Sequence, residues 1–192
     1  MGAHHRRRPG RCCRSPLTAQ PLRVTTVSAE ATHDLRRRVL RGGRPDADVH
    51  FPEDDVPETF HPAVLDSEGR LVAVATVSPA PTGRRPGAAA WRLRGMAVET
   101  ELQGRGAGTL LLDAVVARAR AAGAEVLWAD GRDSALEFYR RRGWSVEGEG
   151  YLTPATGIPH HTVVLDLPQP LVTAGQTPAG VTLAGAMGTV EP

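Results

Sequence analysis

The sequence predicts an α/β domain: a mixed central sheet with one parallel crossover at its centre and flexible N- and C-terminal tails. Three observations carry this. Short runs rich in Val, Leu, Ala and Thr alternate with stretches of helical periodicity. A helical stretch beginning near Gly106 separates two apolar strands, and a helix between strands makes them parallel neighbours. The 192-residue length, with 41% hydrophobic residues, suits one domain with an ordinary core.

Residues 1–21 are rich in Arg, Pro and Gly, without apolar periodicity or the uninterrupted apolar core of a secretory signal, and are expected to be disordered. Residues 22–167 form the domain. Leu22 to Val27 alternates as a first strand. Ser28 can cap the helix that follows, whose Leu35, Val39 and Leu40 face the core and which Gly42-Gly43 ends. Arg44 to Pro62 is irregular, and Asp46 to Glu58 holds six acids and no arginine. Ala63–Asp66 and Leu71–Ser78 are strands joined by a turn containing Gly69. Ala89–Val98 is the next strand, followed by the helix from Gly106 to about Ala121; Arg118 and Arg120 suit its last turn and Gly123 its end. Glu125–Ala129 is a short buried strand, and Ser134-Ala135-Leu136-Glu137 has the form of a capping box opening a helix that ends at Gly143. Trp144–Glu147 and Thr162–Leu167 close the sheet, and residues 168–192, low in charge and periodicity, read as a flexible tail.

Composition narrows the function. All 23 basic residues are Arg, and neither Lys nor Asn occurs, which reads as G+C bias in the coding sequence. The net charge of +2 is uneven: residues 1–23 carry six arginines and no acid, whereas residues 24–167 carry 17 arginines against 20 acids, a net of −3. A mildly acidic domain argues against a nucleic-acid binder built on a basic face. Mean hydropathy is −0.25 and no run approaches a membrane span, so no membrane role is expected. Cys12 and Cys13 are adjacent and supply neither a disulfide framework nor a metal site, which makes a reducing cytoplasm the default location.

The chemistry concentrates between Met96 and Thr109. Gly104, Gly106 and Gly108 fall where the helix begins, and a helix start offers unpaired N–H groups and the positive end of the macrodipole. That is an anion site, most naturally for phosphate. A P-loop would need a Lys, and a dinucleotide fingerprint would need glycine where Thr109 stands. The pattern that remains is Gln103-x-x-Gly106-x-Gly108 after a strand ending Met96-Ala97-Val98. Downstream comes Ala135-Leu136-Glu137-Phe138-Tyr139-Arg140-Arg141-Arg142-Gly143-Trp144.

Together these segments resemble the GNAT N-acetyltransferase superfamily, and the resemblance covers roughly residues 22–167. It implies an acetyl-CoA-dependent N-acetyltransferase in which an amine attacks the thioester directly in a ternary complex, with no metal. By that resemblance, Met96, Ala97 and Val98 pair with the pantetheine arm as an added strand. Gln103, Gly104, Arg105, Gly106, Ala107, Gly108 and Thr109 surround the diphosphate. Tyr139 donates a proton to the departing thiolate, a role suited to a phenol of pKa about 10. One departure is Arg132, seven positions before Tyr139, where the family often has Asn; it reads as a partner for a CoA phosphate or as a surface arginine.

The acceptor side is less legible. The segment Asp46–Glu58, with Glu58 at its end, would attract a cationic amine or simply be solvated. His160 and His161 precede the last strand, and His160 is a candidate base or substrate-binding residue. His61 and Glu99 are further candidates for the base. The expected partners are acetyl-CoA and a primary amine, small or on a protein, with the chain a monomer or homodimer. The alternatives are a non-catalytic acyl-CoA sensor, which would bind without releasing CoA, and an interaction protein acting through residues 1–21.

Overall fold

The computed structural model describes residues 21–154 and 156–168, so the expectations for the two tails, and for Cys12 and Cys13, lie outside them except at Pro21 and Pro168. The elements are β1 (Arg23–Val27), α1 (Ala29–Leu40), β2 (His61–Leu65), β3 (Leu71–Pro79), β4 (Ala90–Val98), α2 (Ala107–Ala121), β5 (Val126–Arg132), α3 (Leu136–Arg141), β6 (Ser145–Leu152) and β7 (Pro159–Asp166). They form one seven-stranded sheet in the order β1-β2-β3-β4-β5-β7-β6. Only β4 and β5 run parallel, joined through α2 as the apolar pattern requires. No helix among the described residues is long and apolar enough to cross a membrane.

Alternation along the strands sorts the two faces. Trp91 and Leu93 of β4, with Leu127 and Ala129 of β5, are buried beside Leu111, Leu112 and Val115 of α2. On the other face α1 packs Leu35 against Ala63, Val74 and Ala97. Ser28 caps α1, its hydroxyl accepting from the Ala31 amide, and Gly43 satisfies the Arg37 carbonyl at the far end.

Two expectations are corrected. Ser134 does not cap a helix: Asp133–Ala135 forms a 3-10 turn, with the Leu136 amide on the Asp133 carbonyl, and α3 starts only at Leu136. Its first turn is tightened by backbone bonding in place of a side-chain cap. The last two strands are longer than expected. Tyr151 and Leu152 rejoin β7 at His160 and Pro159 past a register irregularity, so β6 runs on through Gly148 and Gly150, which fall between the paired Glu147 and Tyr151, with Gly148 at φ +77°.

The site is positioned by a break in the middle of the sheet. Pairing between β4 and β5 covers only Ala90↔Val126 to Leu93↔Ala129; beyond it β5 stays with β7 to Arg132 and β4 stays with β3. In β4, Val74 pairs with Ala97 and Thr76 with Arg94, leaving one extra residue in the strand, a β-bulge. Gly95 makes it possible. Its φ is +60°, and a Cβ there would overlap Phe51, with Cζ only 3.1 Å away.

Candidate active site

Past Leu93 the two central strands part, and a cavity of about 1070 Å³ occupies the opening. Met96 and Val98 line it from β4. Ala97, the residue between them, faces the other way and is buried beside Leu35. Gly104, Gly106, Gly108 and Thr109 line the α2 end, with Gln103 beside them, and Tyr139 and Phe138 line the α3 side.

The glycine turn leaves backbone amides outside the helical ladder at the start of α2. The first helical hydrogen bond of α2 runs from the Leu110 amide to the Gly106 carbonyl at 3.0 Å, so the amides of Ala107, Gly108 and Thr109 come before it. Gly106 is the N-cap with φ +94°, and a Cβ there would meet nothing within 4 Å, so glycine is needed for its backbone conformation and the turn stays open to solvent. The Gln103 side chain donates to the Val98 carbonyl at 3.2 Å, tying the turn to the end of β4. Arg105 is exposed and Ala107 is buried; neither lines the cavity.

Tyr139 is 6% exposed, its ring against Phe138 and Trp144, with centroids 5.5 and 5.2 Å away. Its hydroxyl lies 4.0 Å from Met96 Sδ. Burial pushes the phenol up to about 12, because the phenolate would be desolvated. The group therefore keeps its proton across the ordinary pH range, as a proton donor must.

Of the candidates for a base, His160 lines the cavity. Its Nδ1 lies 2.8 Å from the Ile158 carbonyl, which can only accept; Nδ1 therefore carries a hydrogen, and Nε2 is the ring nitrogen left to exchange a proton. His161 faces elsewhere, with Nδ1 2.8 Å from Asp133. Glu99 pairs with Arg38, and Glu58 is exposed in the loop after Asp55; neither borders this opening. His61 is buried beside Thr76 and Asp54, and burial is the main cause that holds its pKa below the usual value.

Two of the six acids in the acidic segment, Asp54 and Glu53, are held by the protein's own arginines. Asp54 forms a two-pronged pair with Arg36, whose Nη1 and Nη2 lie 2.7 and 3.0 Å from its oxygens. Glu53 accepts from Arg94 at 2.6 and 2.7 Å and stands 3.5 Å from Arg92. Burial would raise the Glu53 carboxyl, but its bonds to Arg94 and its own backbone, with the charges of Arg94 and Arg92, hold it below the ordinary value. Phe51, just before this turn, takes both the Arg36 and Arg94 guanidiniums on its ring, at 4.2 and 4.1 Å from the centroid.

Several cavity residues were not singled out from the sequence: Arg41, Phe51, Arg92, Arg94 and Asp130. A signal was present. Arg92-x-Arg94 and Trp128-x-Asp130-x-Arg132 put charge at alternate positions of central strands, where a strand covered on both faces reads as continuously apolar.

Comparison with known proteins places the chain in a family. The model for the acetyltransferase (GNAT) family matches residues 29–144. A curated relative, the uncharacterized N-acetyltransferase YitI of Bacillus subtilis (strain 168), is 31% identical over 143 residues, spanning 74% of this chain and 94% of its own. An aminoglycoside 6'-N-acetyltransferase solved in complex with coenzyme A superposes with a TM-score of 0.60 at 16% identity, covering 77% of this chain and 98% of that one. An acyl-CoA N-acyltransferase from Pseudomonas aeruginosa gives 0.59 at 20% identity, covering 75% and 99%. At such identities the solved structures speak to the fold.

Proposed function

The chain belongs to the acetyltransferase (GNAT) family of acyltransferase enzymes, and from that premise we propose that it moves an acetyl group from acetyl-CoA to a primary amine by direct attack in a ternary complex. The observation that carries the proposal is a single opening between β4 and β5 that joins the free amides of α2 to the Tyr139 hydroxyl. These residues fit the cofactor. The β4 edge from Arg94 to Val98 has no partner strand on the β5 side and can hydrogen-bond an extended amide chain such as pantetheine. The amides of Ala107, Gly108 and Thr109, with the macrodipole behind them, suit a diphosphate.

Acetyl-CoA, when bound, supplies the acetyl carbon that the amine attacks and the sulfur that leaves with the electron pair of the broken bond. His160 takes the proton from the incoming ammonium at Nε2, directly or through water, and frees the nitrogen lone pair. Tyr139 gives its proton to the leaving sulfur, and the second proton, shed by the nitrogen once it is bonded to the acetyl carbon, passes through solvent and restores the phenol.

The test is release of free CoA thiol from acetyl-CoA across a panel of amines, with the acetylated product identified by mass spectrometry. Binding of acetyl-CoA without release from any amine would favour a sensor over an enzyme. The cradle has its own test. Gly106→Val places a β-branched residue at φ +94°, a strain of about 1–3 kcal/mol that the turn relieves by moving its amides. The expected result is acetyl-CoA binding weakened about tenfold or more by calorimetry, with the circular dichroism of the fold unchanged. Unaltered affinity would remove the diphosphate from this turn.

A further inference from the structure

The sheet face covered by α1 carries charges that the reaction above leaves unused. Arg92 and Arg94 of β4, and Asp130 and Arg132 of β5, alternate with the residues buried beneath α2 and so lie on this opposite face. Among the described residues, six arginines line the cavity. Four of them stand against a carboxylate: Arg92 on Asp130, Arg94 on Glu53, Arg141 on Glu137 and Arg142 on Asp113. Arg41 and Arg132 have no such partner among the described residues. Arg41 Nε donates to the Asp48 carbonyl at 3.1 Å, and Arg132 Nη2 makes a long bond of 3.5 Å to the Leu40 carbonyl. Both side chains are partly withdrawn from water, and each keeps a full charge and several unspent N–H donors.

Their place narrows the anion they await. The Arg132 guanidinium reaches the C-terminal carbonyls of α1, on the far face of the sheet from the α2 amides that suit the diphosphate. Arg132 is also the direct cross-strand partner of His160, so the two side chains rise from the same face about 5 Å apart at their Cβ atoms.

Resting on the acetyl-transfer reading, we propose that Arg132 and Arg41 bind a carboxylate of the acceptor, which makes the substrate a small amine that also carries a carboxylate. The amine meets His160 Nε2 while the carboxylate meets Arg132, its cross-strand partner on the same face of the sheet. A guanidinium fork matches a carboxylate in two hydrogen bonds, which gives orientation as well as affinity.

The test uses direct binding, so that it does not depend on finding the best acceptor. The full chain, saturated with CoA, is titrated calorimetrically with N-acetylated L-amino acids and with the primary amide of each. The proposal requires at least one acid to bind about tenfold or more tightly than its amide, the scale of a charge-assisted pair. Arg132→Gln should erase that difference while the affinity for acetyl-CoA holds, and Arg41→Gln should reduce it. Acids and amides binding alike across the panel would overturn the proposal. So would an Arg132→Gln chain that loses acetyl-CoA affinity and keeps its preference for acids, since the guanidinium would then serve a cofactor phosphate. Failure of the parent chain to bind acetyl-CoA would instead strike the acetyl-transfer reading, and the acid-against-amide comparison without CoA would still decide the carboxylate site.

Discussion

Tyr139→Phe is expected to lower kcat about 10²- to 10³-fold, the range of a lost general acid, while the thermal midpoint barely moves. The two readouts separate because of what the hydroxyl touches. The ring packs on Phe138 and Trp144 and stays in place as Phe, whereas the hydroxyl has only Met96 Sδ, at 4.0 Å, as a partner among the described residues. Removing it strands no buried donor or acceptor, so the stability change should be within about 1 kcal/mol. Affinity for acetyl-CoA should hold, because the β4 edge and the α2 amides are untouched. Since burial lifts the phenol up to about 12, its ionisation should not reduce kcat below pH 10. A variant that keeps kcat within a factor of about three would mean that Tyr139 is a packing residue and that the sulfur is protonated from elsewhere.

The largest loss of stability is expected at Asp54→Ala, about 3–5 kcal/mol by denaturant unfolding. Arg36 is 0% exposed, and Asp54 is its only carboxylate partner among the described residues. Among the described residues, removing that carboxylate leaves a buried guanidinium with the Val49 carbonyl and the Thr76 hydroxyl as its hydrogen-bond acceptors, beside the Phe51 ring. Against a typical stability of about 5–15 kcal/mol, such a change endangers the fold. A double variant, Arg36→Met with Asp54→Val, should cost less than the sum of the single changes, because no buried charge remains. The effect reaches the cavity too: Asp54 accepts the Phe51 amide at 3.0 Å, and Phe51 and Glu53 hold Arg94 in its wall. The pH dependence has a definite sign. Burial would raise the Asp54 carboxyl, but the Arg36 hydrogen bonds, the Phe51 amide and the charges of Arg36 and His61 bring it below its ordinary 3.8. A lowered folded value means stability that is present above pH 3.8 and lost as pH falls through the folded value. Acid denaturation of Asp54→Ala should lack this component.

What could be read from the sequence was what local pattern determines. The apolar Leu93, Met96 and Val98 located β4, the helical spacing of Leu110, Leu111, Ala114 and Val115 located α2, and Gly106 marked the turn between them, because each signal lies within a few residues of its consequence. The Arg36–Asp54 pair was invisible for the opposite reason. Its members are 18 positions apart, in a helix and in a segment that reads as a solvated acidic loop, and nothing in their spacing announces contact. The same holds for the bulge at Gly95, which exists because β3 and β4 pair with one residue to spare and Phe51 fills the space where a side chain would be. Glu58 and His160 looked equally eligible for the acceptor side; only the register of β7 on β5 brings His160 to the opening.

The account depends on a diphosphate seated at the start of α2 with a thioester reaching Tyr139, and a crystal structure of the chain with CoA tests that most directly. The predicted result has diphosphate oxygens about 3 Å from the amides of Ala107, Gly108 and Thr109, with the thiol sulfur in hydrogen-bonding reach of the Tyr139 hydroxyl. A nucleotide bound elsewhere, or a sulfur out of reach of Tyr139, would contradict it.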